Sequence, residues 1–415
     1  MKKSLFALAA VTAFAGAAQA QSSVTVYGIL DMGYAGGTST VNNSASTPVN
    51  AKTNYSGFTS SGEQSSRLGF KGSEDLGGGA QAIFTAEFQL YPSDQSLSGN
   101  ANAGLFNRQS FIGLHKNGLG QATAGTQYTP VFNAFAATDP GGVNNIVGDA
   151  IHPYSTLASA NQAGANSIGM SDRVSNSLMA QSDKFSGFSV GGMLTDNSKT
   201  APQTSATAGG QTNATGWGLN ADYTWNKLYV TGAYQALKQV TTATNGSAAA
   251  SIIWTSPQAA GATAVPVSGN GTAITTNAVN VIDNQGFVGA TYDFGILKAY
   301  AQYITRTATS TANSADYVKR QAEQIGVRSF ITPTIEAWGQ AGLGRYTAGT
   351  TVTPTGSGVP TANFLAWQLG SNYWLSKRTN LYAIYGYTST SNAAVGTTTI
   401  SGNTNNYAVG MRHTF

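Results

Sequence analysis

Hydrophobic and polar residues alternate with a period of two in many segments of this chain. In residues 80–90, Ala, Phe and Leu alternate with Gln, Thr and Glu, and residues 24–34 and 215–225 repeat the pattern. A period of two predicts strands with one apolar and one polar face. Each segment has about ten residues, the length that a tilted strand needs to cross a lipid bilayer.

The segments between these strands are alternately long and short. The long ones are rich in Ser, Thr, Asn, Gly and Ala and lie at 37–63, 91–104, 129–171, 196–213, 239–280, 307–316, 347–361 and 388–404. The short ones are turns at 74–79, 116–118, 183–187, 293–295, 332–334 and 376–379. This alternation is typical of transmembrane barrels, with long external loops and short periplasmic turns. Eight long loops predict an all-β, antiparallel barrel of about sixteen strands.

The composition favours a membrane barrel over a soluble domain. Charged residues make up only 9% of the chain, whereas ordinary soluble domains have about 25%. Past residue 20 there is no run of 18 apolar residues that could form a transmembrane helix, and lipid admits only helices and closed barrels. A barrel of about sixteen strands is wide enough to hold water. A secreted β-sandwich or β-helix is the alternative that periodicity alone leaves open.

Several kinds of chemistry have no support in the sequence. Cysteine is absent, and the three histidines are far apart, so no metal site and no cofactor are expected. Residues 187–191 match GxSxG by letter, but they open a strand after a turn, which is the wrong context for a hydrolase nucleophile. Without Lys2 and Lys3 the chain has 19 basic and 17 acidic residues, so no nucleic-acid partner is expected. The chain is predicted not to be an enzyme.

The first twenty residues have the features of a secretory signal peptide. Lys2 and Lys3 precede an apolar run from Leu5 to Ala18, and Ala18-Gln19-Ala20 has the small-x-small pattern of a cleavage site. We therefore expect residues 1–20 to be a signal peptide and residues 21–415 to be the barrel.

Seven stretches, spread along the chain, resemble the general, non-specific trimeric porins of Gram-negative bacteria, in particular those of betaproteobacteria. They are SSVTVYGILDMGY at 22–34, SRLGFKGSEDLGGG at 66–79, NRQSFIGL at 107–114, GTQYTPVFNAFAATDP at 125–140, RVSNSLMAQSD at 173–183, YWLSKRTNLYAIYGY at 373–387 and NYAVGMRHTF at 406–415.

The resemblance implies a homotrimer of sixteen-stranded barrels in the lipid of the cell outer membrane. Each barrel would let ions and small hydrophilic solutes diffuse passively. The third external loop, near 129–171, would fold into the pore. Phe415 would be the signal that the barrel-assembly machinery reads.

Four cations are candidate pore-lining residues. Leu68 and Phe70 occupy one face of their strand, so Arg67 and Lys71 occupy the other. A cation that faces lipid at mid-depth costs about 2–4 kcal/mol, so these two should face the lumen. The same argument applies to Arg173, and Arg108 is similar.

The resemblance implies that Arg67, Arg108 and Arg173 form a basic cluster opposite the third loop. Asp139 and Asp149 on that loop are candidates for the acidic side of the constriction. Such charged rings determine which ions pass, and this one predicts a mild preference for anions.

Three further residues have open assignments. Glu87 and Asp31 fall on the polar faces of their strands, where they could line the pore or pair with the arginines. Tyr128 could brace the third loop or belong to an aromatic girdle at the membrane surface. A membrane-embedded enzyme and a loop-based adhesin are the alternative functions for such a barrel.

Overall fold

A computed structural model of the chain describes residues 23–43, 49–94, 105–153, 169–205, 208–241, 281–311, 314–315, 317–348, 361–395 and 398–415. These residues form seventeen strands and one helix. The strands are β1 (Ser23–Asn43), β2 (Val49–Ser60), β3 (Arg67–Gly77), β4 (Ala80–Gln89), β5 (Phe106–Lys116), β6 (Gly120–Tyr128), β7 (Arg173–Ser182), β8 (Phe188–Ser205), β9 (Ala208–Trp225), β10 (Leu228–Thr241), β11 (Val281–Asp293), β12 (Lys298–Ser310), β13 (Tyr317–Phe330), β14 (Ile335–Ala348), β15 (Thr361–Trp374), β16 (Thr379–Val395) and β17 (Thr398–Thr414). The helix α1 spans Pro130–Thr138.

The strands form one closed antiparallel barrel. From β3 onward each strand pairs with the next, and β17 pairs with β1 from Ile29↔Thr414 to Asn43↔Ile400. Both β2 and β3 pair with β1, at its two ends, so together they occupy one position in the wall. That position is interrupted at residues 61–66. The seventeen strands therefore fill sixteen wall positions, and the predicted sixteen-stranded barrel is confirmed.

The two faces of the wall differ as the period-two pattern predicts. On β15, Leu365 and Leu369 point outward and are 45% and 57% exposed, whereas Ala366 and Gln368 point inward and are buried. On β1, Val24 and Val26 are likewise exposed on the outside. An apolar exterior of this kind suits contact with lipid. In the described part of the chain, no helix has both the length and the apolar composition needed to span a bilayer.

Three of the predicted long loops are largely strand, so these predictions were wrong. The segment 37–63 contains the end of β1 and all of β2, and the segments 196–213 and 388–404 are mostly paired hairpins. Ser, Thr and Asn are depleted from membrane-facing strands because they are polar, but they can pair in a ladder that continues beyond the lipid. A change to polar composition therefore indicates where a strand leaves the lipid, and it does not indicate where the strand ends.

One short turn was not predicted from the sequence. Strands β9 and β10 meet at Asn226 and Lys227, where Asn226 has φ of 49°. Asn tolerates this left-handed conformation better than most residues, but a single Asn is a weak turn signal. The predicted signal peptide and most of the segment 239–280 lie outside the described residues.

A charge on the outer face should be far more costly than one on the inner face. Leu369→Arg, in the central part of β15, is expected to destabilise the barrel by about 2–4 kcal/mol because its cation meets lipid. Gln81→Arg, on the inward face of β4, is the control and should change stability by less than about 1 kcal/mol. Urea unfolding in lipid vesicles measures both, and equal losses would contradict the assignment of faces.

Candidate functional site

The third loop joins β6 to β7 and comprises residues 129–172, of which 129–153 and 169–172 are described. Its helix α1 begins at Thr129, whose hydroxyl accepts a hydrogen bond from Phe132 N at 3.1 Å. The two ends of the loop are joined, because Thr129 N donates to Asp172 O at 3.0 Å and Thr129 Oγ1 donates to Ser171 O at 2.7 Å. The loop is thus closed at its base.

The described part of the third loop lies inside the barrel. Arg328 on β13 donates to Pro140 O at 2.9 Å, and Arg320 on the same strand donates to Ile151 O at 3.4 Å and also to Ala150 O. Both arginines are on the inward face of β13. The apolar side chains of the loop and of the wall share one buried core, whose largest aromatic members are Phe132, Phe135, Phe287, Tyr346 and Phe364.

The described part of the loop lies against one side of the barrel wall. Six buried glutamines contact or adjoin it, one on each of the strands β10–β15: Gln235, Gln285, Gln302, Gln324, Gln340 and Gln368. Sequence reasoning missed these residues. A signal was present, since six strands in succession carry a Gln at an inward position. On β3, by contrast, Lys71 is exposed and Arg67 is only partly buried.

The four predicted cations lie on β3, β5 and β7, away from the strands that carry the six glutamines. We call Arg67, Lys71, Arg108 and Arg173 the basic wall. Arg108 Nε donates to Glu87 Oε1 at 2.7 Å, and Arg67 Nη1 lies 3.8 Å from the same oxygen. Lys71 Nζ lies 5.4 Å from the centre of the Tyr27 ring, which also faces inward. The structure therefore brings the four residues to the lumen side, as the lipid-cost argument predicts.

Tyr128 connects the basic wall to the loop. Its hydroxyl accepts a hydrogen bond from Arg108 Nη2 at 2.8 Å, and its ring stacks on Phe132 of α1 with centroids 4.6 Å apart. The guanidinium carbon of Arg173 lies 5.2 Å from the centre of the Tyr128 ring. Of the two open readings, bracing of the loop is the one that these contacts support.

Glu87 pairs with the basic wall, whereas Asp31 does not. Glu87 lies between Arg67 and Arg108 and also accepts from the Tyr27 hydroxyl at 3.1 Å. Four cations and this one carboxylate leave the basic wall with a formal charge of +3. Arg173 Nε and Nη1 are buried and have no hydrogen-bond partner among the described residues.

Asp31 instead holds an inward bulge, residues 61–66, where the wall position shared by β2 and β3 is interrupted. Its Oδ2 accepts from Glu63 N at 2.8 Å and Gln64 N at 2.7 Å, and its Oδ1 accepts from the Tyr382 hydroxyl at 2.8 Å. Asn145 N of the third loop donates to Gly62 O at 3.1 Å. The bulge therefore meets the third loop within the lumen.

Asp139 and Asp149 have structural tasks within the loop that the sequence did not indicate. Asp139 accepts from Gly141 N at 3.2 Å and Val143 N at 2.5 Å, and Asp149 Oδ1 accepts from Ile151 N at 2.7 Å. Both carboxylates are buried, at 6% exposure. They cap turns of the loop with backbone hydrogen bonds, and their predicted contribution to ion selection stays a prediction.

Two titratable groups of the loop depart from their ordinary pKa values. Burial, and next the charge of Asp149, raise the pKa of Asp139 to about 7. Burial alone would lower the pKa of His152. The negative charges of Asp172, whose Oδ1 lies 2.9 Å from His152 Nε2, and of Asp149 and Asp139 have a larger, opposite effect, so the pKa of His152 is raised overall. Stability that protonated Asp139 confers is present at low pH and is lost as the pH rises towards 7.

Ion preference should therefore depend on pH near neutrality. Between pH 8 and pH 6 Asp139 loses its negative charge, so the lumen becomes more positive. We expect the reversal potential in a salt gradient to shift towards the anion value over this range. Asp139→Asn should reduce the shift, and Asp75→Asn, at an exposed short turn, should leave it unchanged. A full shift in Asp139→Asn would contradict this assignment.

Phe415 lies at the seam where the barrel closes. Its N–H donates to Gly28 O and its carbonyl accepts from Gly28 N, both at 3.1 Å. Its ring also covers Gly28, where a Cβ atom would collide with it. The terminal residue thus completes the ladder between β17 and β1, while its role as an assembly signal stays a prediction.

Comparison with known proteins agrees with this architecture. Residues 7–393 match the family described as Gram-negative porin. An outer membrane porin of Bordetella pertussis is 35% identical over 197 residues, which are 46% of this chain and 47% of that protein. Outer membrane porin protein 32 of Delftia acidovorans is 36% identical over 46% of this chain and 48% of that protein. The chain thus spans about half the length of these curated relatives.

The solved structures show the same fold over almost the whole chain. An anion-selective porin from Comamonas acidovorans aligns with a TM-score of 0.64 and 21% identity, covering 95% of this chain and all of that one. The trimer form of OmpT from Vibrio cholerae aligns with a TM-score of 0.53 and 14% identity, covering 93% of this chain and 99% of that one. Porins are channel proteins and not enzymes, as predicted for this chain. With a family match over most of its length and a closed barrel of sixteen wall positions, the chain belongs to the Gram-negative porins of the outer membrane.

Proposed function

We propose that the barrel is a channel for passive diffusion of ions and small hydrophilic solutes, with a mild preference for anions. One observation carries the proposal: the third loop covers the inward face of β10–β15, and the basic wall faces the lumen on β3, β5 and β7. Solutes would pass between these two surfaces.

The charge of the basic wall supports the anion preference. Its formal +3 stands in a lumen where screening is weaker than in bulk solution. Lys71 is exposed and Arg67 is partly buried, and charge-assisted hydrogen bonds from such cations are a strong means of attracting anions. Because these contacts would be brief, anions would be favoured without being trapped. The solved relative that is described as anion-selective is consistent with this sign.

The assembly and targeting of the protein follow as further parts of the proposal. Residues 1–20 would direct export and be removed, and Phe415 would be read by the barrel-assembly machinery. The mature barrel would reside in outer-membrane lipid as a homotrimer, as the trimeric form of one solved structure with the same fold supports. Asp139 and Asp149 would add a weak negative potential on the loop side of the lumen.

Purified protein in planar bilayers tests the channel directly. We expect stepwise, ohmic conductance, and vesicles containing the protein should swell in solutions of small sugars. Heat-unfolded protein is the control and should be silent. Membranes that stay silent with folded barrels would overturn the proposal.

A further inference from the structure

The six buried glutamines of β10–β15 form three pairs. Gln235 and Gln285 are opposite each other in the ladder between β10 and β11, and the same holds for Gln302 and Gln324 and for Gln340 and Gln368. Within each pair one amide donates to the other, at 2.9, 3.1 and 3.4 Å respectively. Each pair is thus a cross-strand unit with hydrogen-bonding capacity left for a third group.

The third group is the backbone of the third loop. The first pair accepts from Val131 N at 3.3 Å and Ser171 N at 2.8 Å. The second pair accepts from Ala150 N at 2.7 Å and donates to Phe135 O at 3.4 Å.

The third pair completes the pattern. Gln368 Nε2 donates to Ile146 O at 2.9 Å and to Val147 O at 3.0 Å. Its side chain also exchanges hydrogen bonds with Asn144, at 2.7 and 2.9 Å. Across the three pairs, six backbone groups of the loop are bound by glutamine side chains.

Glycines stand beside these glutamines. Five of the six glutamines have a glycine as register partner on the neighbouring strand: Gly218↔Gln235, Gly289↔Gln302, Gly342↔Gln324, Gly326↔Gln340 and Gly386↔Gln368.

At each of these glycines a Cβ atom would meet the loop. It would lie 3.1 Å from Pro130 at position 218, 2.5 Å from Thr138 at position 289 and 2.5 Å from Pro140 at position 326. At position 342 it would lie 2.5 Å from Ala150 Cβ, and at position 386 it would collide with Val147 O. The loop therefore occupies space that any larger residue would fill.

We propose that the three glutamine pairs and the five glycines form a built seat for the third loop, and that this seat fixes the position of the loop and thereby the free cross-section of the channel. The glutamines are positioning residues: they bind six backbone groups of the loop and also its side chains at Thr138, Asn144 and Ser171. The consequence for the cross-section rests on the proposed channel function.

A cysteine cross-link tests the seat without reference to conduction. The natural chain has no cysteine, so Ala150→Cys with Gly342→Cys introduces a single pair. Their Cβ atoms would start 2.5 Å apart, and a shift of about 1 Å brings them to disulfide range. We expect rapid cross-linking of the folded barrel under mild oxidation. Ala150→Cys with Gly232→Cys, on the outward face of β10, is the control and should stay reduced. Failure of the first pair to cross-link would overturn the seat.

Conductance tests what the seat does. Gln368→Leu removes four hydrogen bonds to the loop and should raise the unseated population, and with it the rate of brief current blocks, by at least about tenfold. Gln181→Leu is the matched control, since Gln181 faces inward and accepts from Asn220, with no hydrogen bond to the described part of the loop. Adding the 150–342 disulfide to Gln368→Leu should restore quiet openings, a rescue that a general defect in the barrel would not show.

The outcomes separate the two proposals. Blocks that are as frequent in Gln181→Leu as in Gln368→Leu, or that persist with the disulfide formed, would overturn the role of the seat. Should Gln368→Leu fail to fold, the cross-link in the otherwise natural chain decides the question. A protein that cross-links as expected but never conducts would refute the channel and leave the seat standing.

Discussion

Replacing Arg67 and Arg173 with serine will move the reversal potential towards the cation value. The two changes lower the formal charge of the basic wall from +3 to +1. Two unit charges act on a passing ion with about 1 kcal/mol each at 4 Å in water, so the ratio of anion to cation permeability should fall by at least about tenfold at low salt. The shift should shrink in 1 M salt, where charges are screened over about 3 Å.

Arg108 is kept in this variant for a physical reason. It is buried and bonded to Glu87, and removing one partner of a buried ion pair costs about 3–5 kcal/mol. The double variant therefore changes the charge of the lumen while the barrel folds. Lys377→Ser with Arg378→Ser removes two exposed cations from a short turn and is the matched control. An equal shift in that control would mean that net charge, and not the basic wall, sets the selectivity.

Gly28→Val will prevent the barrel from closing properly. A Cβ atom at position 28 would lie 2.6 Å from Arg67 O and would collide with the Phe415 ring. Overpacking of this kind costs about 1–3 kcal/mol, and seam amides that lose their partners in lipid cost several more. The folded fraction after refolding into vesicles, read from heat-dependent mobility on gels, should fall at least about tenfold.

Two other variants show whether the seam itself is responsible. Gly192→Val also adds bulk to an outward glycine, but a Cβ atom there would have 3.5 Å to its nearest neighbour, so folding should be nearly unchanged. Phe415→Ala should give an intermediate loss, because the ring goes while its backbone pairing with Gly28 can still form. Normal folding of Gly28→Val would show that the pairing of Phe415 with Gly28 is dispensable.

The strands could be predicted because their signal is local. Outward Val24 and Val26 follow from alternation alone, since lipid and water act on every residue of a strand independently of distant contacts. The inward direction of Arg67 and Lys71 could be predicted because a cation that faces lipid is energetically costly. The ends of the hairpins could not be predicted in this way, because beyond the lipid both faces are polar.

The rest of the lumen depends on contacts between distant parts of the chain. Asp31 and Tyr382 are 351 positions apart. No sequence motif near either residue predicts the bulge at 61–66 that they hold. Asp139 and Asp149 look the same in sequence whether they face solutes or cap a turn. The glutamines of β10–β15 can be found in the sequence, but their hydrogen bonds to the third loop cannot be predicted from it, because they depend on where the loop lies in the barrel.

The reversal potential of the natural protein in a tenfold salt gradient reports both whether the lumen is filled with water and whether the basic wall selects ions. We expect open channels whose reversal potential has the sign of anion preference and moves further in that direction at pH 6. A cation-selective potential from folded, conducting barrels would contradict it.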